Sequence, residues 1–175
     1  ARLTDEAGKA IPPDRVAKRV ILCRTRLPPV ECKLVRTANE IPTWVLASPS
    51  TDPQQREKLR AAGVQVDEIG SDQPAEMVGG LLDRLGERAM THVMVEGGSQ
   101  LLGSFIDSQN GDCLIDECHV YIGSKQFGGS SAPGPIAGSG IEIVERAPLL
   151  KLVAVNRFED DVQLTYRRVE RESNP

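Results

Sequence analysis

Metal-ligand pairs, long apolar runs and clustered positive charge are all missing from this chain of 175 residues. Its four cysteines, Cys23, Cys32, Cys113 and Cys118, form no C-x-x-C pair, and its only histidines are His92 and His119. Neither a zinc knuckle nor a histidine-rich metal site is expected. The cysteines read as reduced thiols, with Cys23 and Cys118 buried because they lie in apolar segments. No apolar stretch approaches the roughly 18 residues that cross a bilayer, and residues 1–15 lack the apolar core of a signal peptide. These absences point to a cytoplasmic protein with no membrane partner. The net charge is −4 and the Lys and Arg residues are scattered, which argues against a nucleic-acid surface.

What remains is the composition of an ordinary globular domain, 39% hydrophobic and 26% charged, and the length suits one domain. Short apolar, β-branched runs at Arg19–Cys23 and Thr43–Ala47 predict buried strands; Trp44, the only tryptophan, belongs in the core. Ser50-Thr51-Asp52 before Pro53 opens a helix that Gly63 stops, and Val64–Val66 alternates as a strand. Met77, Val78, Leu81, Leu82 and Leu85 share one face of a helix over about 74–89. His92–Val95 reads as a strand, 99–108 as a helix with a Leu101, Leu102, Phe105, Ile106 stripe, Asn110-Gly111 as a turn and Glu117–Ile122 as a strand. Residues 128–140, rich in glycine with Pro133 and Pro135, form a long loop. Strands follow at Ile141–Val144, Leu149–Phe158 and Val162–Val169, the last two joined at Glu159-Asp160-Asp161 as an antiparallel hairpin. Alternating strands and helices predict an α/β fold of three layers, its mixed sheet mainly parallel with a C-terminal antiparallel hairpin.

The most informative segment is Val93-Met94-Val95-Glu96-Gly97-Gly98-Ser99. A strand, two glycines and a helix start place unpaired backbone N–H groups where they suit a phosphate. The glycines allow close approach, and Ser99 is placed either to cap the helix or to bond a phosphate oxygen. Glu96 would repel a phosphate but would accept hydrogen bonds from sugar or ribityl hydroxyls. A plain strand–helix turn with a capping serine fits the same pattern.

Glu96-Gly97-Gly98 followed by Leu101-Leu102 resembles the E-G-G segment of the reductase domain of the bifunctional riboflavin-biosynthesis deaminase-reductase. Ile115-Asp116-Glu117-Cys118-His119-Val120-Tyr121-Ile122 is similar to that family's V-D-E strand, and Lys125 with Gly128-Gly129 to its P-K…G-G run. Arg19–Leu22, Lys33-Leu34-Val35 and Arg2-Leu3-Thr4 resemble further segments. Besides the family's earlier start, two departures stand out: Glu6 stands where the family has a phosphate-binding arginine, and Cys23-Arg24 and Ser124 stand where it has Asp-Ser and the proline before Lys125.

The resemblance implies a dihydrofolate-reductase-like fold. It also implies NADPH-dependent reduction of 5-amino-6-(5-phosphoribosylamino)uracil to its ribitylamino form. On it, Glu96 and Leu3 would bind substrate, and Gly97, Gly98, Ser99, Gln100, Leu101, Leu102, Gly103 and Ser104 would bind the cofactor. Arg24 would meet its 2′-phosphate, unless it is only a solvated arginine after a strand. No catalytic residue and no metal ligand is assigned. The family's first strand and helix would precede Leu3. The chain therefore reads as a single reductase-like domain lacking them, with little activity alone and an uncovered sheet edge that a second copy would pair with as a homodimer. Two alternatives are a related reductase of another pterin or pyrimidine and a non-catalytic dimerising domain.

Overall fold

A computed structural model describes residues 8–9, 16–106 and 113–169. The chain divides into two compact units, residues 1–92 and 93–175.

In the first unit, β1 (Arg19–Cys23), β2 (Thr43–Ala47) and β3 (Gln65–Glu68) form a parallel sheet in the order β1-β2-β3. The central strand β2 is buried along its whole length, as a parallel strand covered on both faces must be. Val45 and Ala47 project with Val66, Leu59 and Cys23 into one core cluster; Trp44 and Leu46, on the opposite face, are equally inaccessible. Helix α2 (Pro53–Ala61) starts where its sequence says. Asp52 accepts from the Gln54 N–H at 2.9 Å and Pro53 takes the first position, where its missing N–H costs nothing. Gly63 ends the helix at φ 87°, with the Asn39 side chain occupying the space a β-carbon would need. Helix α3 (Pro74–Gly86) buries Met77, Val78, Leu81 and Leu85, four of the five residues expected on its apolar face.

The sequence pattern missed α1 (Lys33–Arg36), a single turn. Its stabiliser is remote: the Arg19 guanidinium donates to the carbonyls of Leu34, Thr37 and Ile41 at 3.0–3.1 Å and to Thr37 Oγ1 at 2.9 Å. A cation at the carboxyl end of so short a helix satisfies carbonyls that have no partner inside it.

In the second unit, α4 (Ser99–Ile106) precedes β4 (Glu117–Ile122), β5 (Leu150–Phe158) and β6 (Asp161–Arg168). β5 and β6 form the expected hairpin. β4 pairs with β6 as well, antiparallel, giving the order β4-β6-β5. The mixed α/β class read in the sequence holds, but the division within it differs. Glu117–Ile122 joins the hairpin instead of extending the parallel sheet. Its polar face explains the register: Glu117 lies opposite Arg167 and Tyr121 opposite Gln163. The Arg167 guanidinium donates to Glu117 at 2.6 Å, and the Gln163 amide reaches both His119 and Tyr121.

Two expected strands are not formed. His92–Val95 and Ile141–Val144 lie outside any ladder among the described residues, and Val144–Arg146 is a 3-10 turn. Both are apolar and β-branched, but a strand exists only where neighbouring backbone accepts its N–H groups; Met94 and Val144 are 80% and 82% exposed. The Asn110-Gly111 turn lies outside the described residues. Residues 128–140 contain neither helix nor strand, as expected. No helix among the described residues is long and apolar enough to cross a membrane.

Candidate functional site

The second unit carries the Glu96-Gly97-Gly98-Ser99 turn. The Leu102 N–H donates to the Gly98 carbonyl at 3.2 Å, so Gly98 precedes the first helical turn and Ser99 is the first residue of α4 rather than its cap. Among the described residues, the amides of Ser99, Gln100 and Leu101 have no backbone acceptor. Three N–H groups therefore point along the start of an eight-residue helix, where they carry partial positive charge. A β-carbon at Gly98 would meet nothing within 4 Å, whereas one at Gly97 would meet the Leu101 side chain at 2.6 Å. Gly98 is thus the open position of the pair. Glu96 is exposed beside it.

The expected cofactor-contacting run divides in two. Gly98 and Gln100 are exposed and Ser99 is half-buried, while Gly103 and Ser104 lie on the buried face with Phe105. Ser104 Oγ donates back to the Gln100 carbonyl at 3.0 Å. The Ala137 N–H donates to the Ser99 carbonyl at 3.0 Å, and a β-carbon at Gly103 would lie 1.9 Å from the Ala137 oxygen. The glycine-rich segment after β4 therefore lies against this helix. Leu101 and Leu102 are half-buried between the two sets. Leu3, expected at the substrate, and Glu6 lie outside the described residues. Lys125 is exposed.

In the first unit, Arg24 is exposed immediately beyond β1. Its carbonyl accepts a short hydrogen bond from the buried hydroxyl of Ser48, the residue after β2. Ser48 Oγ also accepts from the Ser50 N–H at 3.2 Å, and Ser50 Oγ donates to Asp72 at 2.5 Å. The Ser50 and Ser48 hydroxyls, with a smaller contribution from the Arg24 charge, hold the Asp72 carboxyl below its usual range. A cavity of about 240 Å³ adjoins the same loops, lined by Thr25, Arg26, Leu27, Asp52 and Gln55. All of these groups follow the carboxyl ends of parallel strands, where open α/β sheets take ligands. The sequence pattern singles out Arg24 but presents Ser50-Thr51-Asp52 only as a helix start, and it leaves Ser48 unread. The one available signal was a run of hydroxyls directly after a buried strand.

In the second unit, helix amides fit a phosphate and the Glu96 carboxylate fits hydroxyls; in the first, Arg24 fits a phosphate. Among the described residues no group of His, Cys, Asp and Glu could hold a metal ion. Of the two cysteines expected to be buried, Cys23 is, and burial pushes its thiol up to about 11; Cys118 is half-buried because β4 is an outer strand.

Residues 1–164 match the family of the RibD C-terminal domain. The riboflavin biosynthesis protein RibD of Actinobacillus pleuropneumoniae is 35% identical over 147 residues, 83% of this chain and 38% of that protein. The one from Bacillus amyloliquefaciens is 30% identical over 154 residues, 87% of this chain and 40% of that protein. The chain thus spans about two fifths of the length of these relatives. Among solved structures, Acinetobacter baumannii RibD superposes with a TM-score of 0.66 at 25% identity, covering 86% of this chain and 37% of that one. A Thermotoga maritima diaminohydroxyphosphoribosylaminopyrimidine deaminase/5-amino-6-(5-phosphoribosylamino)uracil reductase superposes with a TM-score of 0.63. At 20% identity, covering 97% of this chain and 41% of that one, it speaks for the fold alone.

Proposed function

The chain belongs to the RibD C-terminal domain family, and from that membership we propose that it is an NADPH-dependent reductase domain of riboflavin biosynthesis. Its substrate on this reading is 5-amino-6-(5-phosphoribosylamino)uracil, reduced to the ribitylamino form. The observation that carries the reading is the Glu96-Gly97-Gly98 turn within the matched residues, with Gly98 open and three helix amides that have no backbone acceptor among the described residues.

NADPH, when bound, would supply the hydride that the ribose C1′ needs. This chain's part is binding and orientation, which is how proteins assist a cofactor's chemistry. Helix amides after Gly98 would bind cofactor phosphate, since a phosphate needs donors and close backbone approach. Glu96 would accept ribose hydroxyls and so fix the sugar. The Arg24 guanidinium would pair with the 2′-phosphate of the cofactor. Leu3 is carried by the resemblance only.

The test is calorimetric titration of the 175-residue chain with NADPH and, separately, with the phosphoribosylamino-pyrimidine. Saturable binding of both supports the reading. Binding of neither contradicts it.

A further inference from the structure

Registers in the first unit align three strand ends. Cys23 pairs with Ala47 and Ala47 with Glu68, so Arg24, Ser48 and the segment from Ile69 to Asp72 leave the sheet along one rim. Hydrogen bonds tie this rim together: Ser48 to the Arg24 carbonyl, the Ser50 N–H to Ser48, and Ser50 Oγ to Asp72. Arg24 is thus an exposed cation and Asp72 an exposed anion at this rim, with Arg26 and Asp52 exposed further along the same loops. Among the described residues the Arg24 guanidinium forms no ion pair, and Asp72 is held by a neutral hydroxyl rather than by a salt bridge.

We propose that Asp72 is a specificity-determining residue for the adenosine ribose of a bound nicotinamide dinucleotide, its carboxylate, held by Ser50, favouring a free 2′-hydroxyl and opposing the 2′-phosphate that Arg24 attracts. This inference rests on the dinucleotide reading given above. The chemistry is that of a carboxylate, which accepts hydrogen bonds from vicinal ribose hydroxyls but repels a phosphate dianion. Arginine does the reverse. Dinucleotide sites elsewhere use these two residue types to separate the phosphorylated from the unphosphorylated cofactor, and they do so at strand ends of parallel sheets. Here both types occupy the same rim, so the preference for NADPH over NADH is set by their opposition. The Ser50 bond holds the carboxylate at the rim; an aspartate is ionised at neutral pH, and the Ser50 and Ser48 hydroxyls hold its proton affinity lower still. The Asp72 charge therefore opposes the phosphate throughout the neutral range.

Asp72→Asn retains an acceptor for Ser50 and removes the charge. Asp72 is exposed, so the fold should be unaffected; Asp72→Ser gives a second reading of the same sign. The experiment is calorimetric titration of wild type, both Asp72 variants and Arg24→Gln with NADPH and with NADH, at low and at 0.5 M salt. The expected result is tighter NADPH binding by both Asp72 variants, on the order of tenfold, with NADH affinity unchanged or weaker. The gain should shrink at high salt. Arg24→Gln should weaken NADPH and leave NADH alone. Equal changes for both dinucleotides, or none, in the Asp72 variants would overturn the specificity role and leave the dinucleotide reading standing. Binding of neither dinucleotide to wild type would overturn both.

Discussion

Gly103 and Ala137 touch backbone to backbone: a β-carbon on Gly103 would stand 1.9 Å from the Ala137 carbonyl oxygen. Glycine in a helix interior ordinarily costs stability relative to alanine, so this one is retained for contact. Gly103→Ala must push the 137–138 backbone away or bend α4, and we expect it to cost about 1–3 kcal/mol. Gly79, in the interior of α3, meets nothing within 4 Å, so Gly79→Ala should be neutral or stabilise by up to about 1 kcal/mol. Urea unfolding of the two variants checks the contrast, and equal effects would contradict it.

The Trp44 indole is fully buried, and its N–H donates to Asp67 Oδ2 at 3.0 Å. The same oxygen accepts from Arg88 at 3.0 Å, whose guanidinium lies 3.9 Å from the ring centre. Asp67→Ala leaves an indole donor buried without a partner, which costs about 1–3 kcal/mol. Chemical denaturation followed by tryptophan fluorescence should show the loss. A variant as stable as wild type would mean that the N–H finds another acceptor.

Glu117, on the outer strand β4, meets Arg167 on the central strand β6 and His119 on its own strand. Its carboxyl is held below the usual range first by Arg167 and then by His119. A carboxyl lowered in the folded state adds stability above its unfolded value of 4.5, and that contribution is lost as pH falls through the lower folded value. Glu117→Gln should therefore differ fully from wild type above pH 4.5, with the two converging as pH falls below that value. Urea midpoints across that range are the check. A gap that widens towards low pH would reverse the assignment.

Glu96 and Gly98 are two residues apart but are assigned to different ligands. Glu96→Gln removes a charge suited to hydroxyls, so it should weaken binding of the phosphoribosylamino-pyrimidine by roughly tenfold. NADPH affinity should hold or improve. Titrations with each ligand separate the two effects; loss of NADPH binding alone would move Glu96 to the cofactor.

Much of the fold was legible because its signals were local. β1 and β2 fall on the residues expected, and α2 starts where Asp52 and Pro53 announce it. What escaped depended on distant partners. The turn α1 is held by Arg19, fourteen residues upstream of Lys33, a contact that no window along the sequence contains. His92–Val95 has the composition of a strand, but composition does not supply a neighbour to pair with. The direction of β4 likewise rests on its match to Arg167 and Gln163. Of the candidate groups, the glycine turn of the second unit and Arg24 of the first were readable from residue types in order. The division of Gly98–Ser104 into open and buried parts was not, because it is set by Ala137 more than thirty residues away. The Ser48–Ser50–Asp72 chain joins two loops and was invisible for the same reason.

The most direct test of the account is NADPH titration of wild type against Gly98→Val. A side chain at Gly98 meets open space and the backbone there needs no left-handed conformation, so the fold should tolerate valine. Its branches would nonetheless add bulk at the open start of α4, which a phosphate must approach closely. The account predicts saturable NADPH binding by wild type and a loss of at least about tenfold in Gly98→Val, with unchanged thermal unfolding. Equal affinities in two equally folded proteins would contradict it.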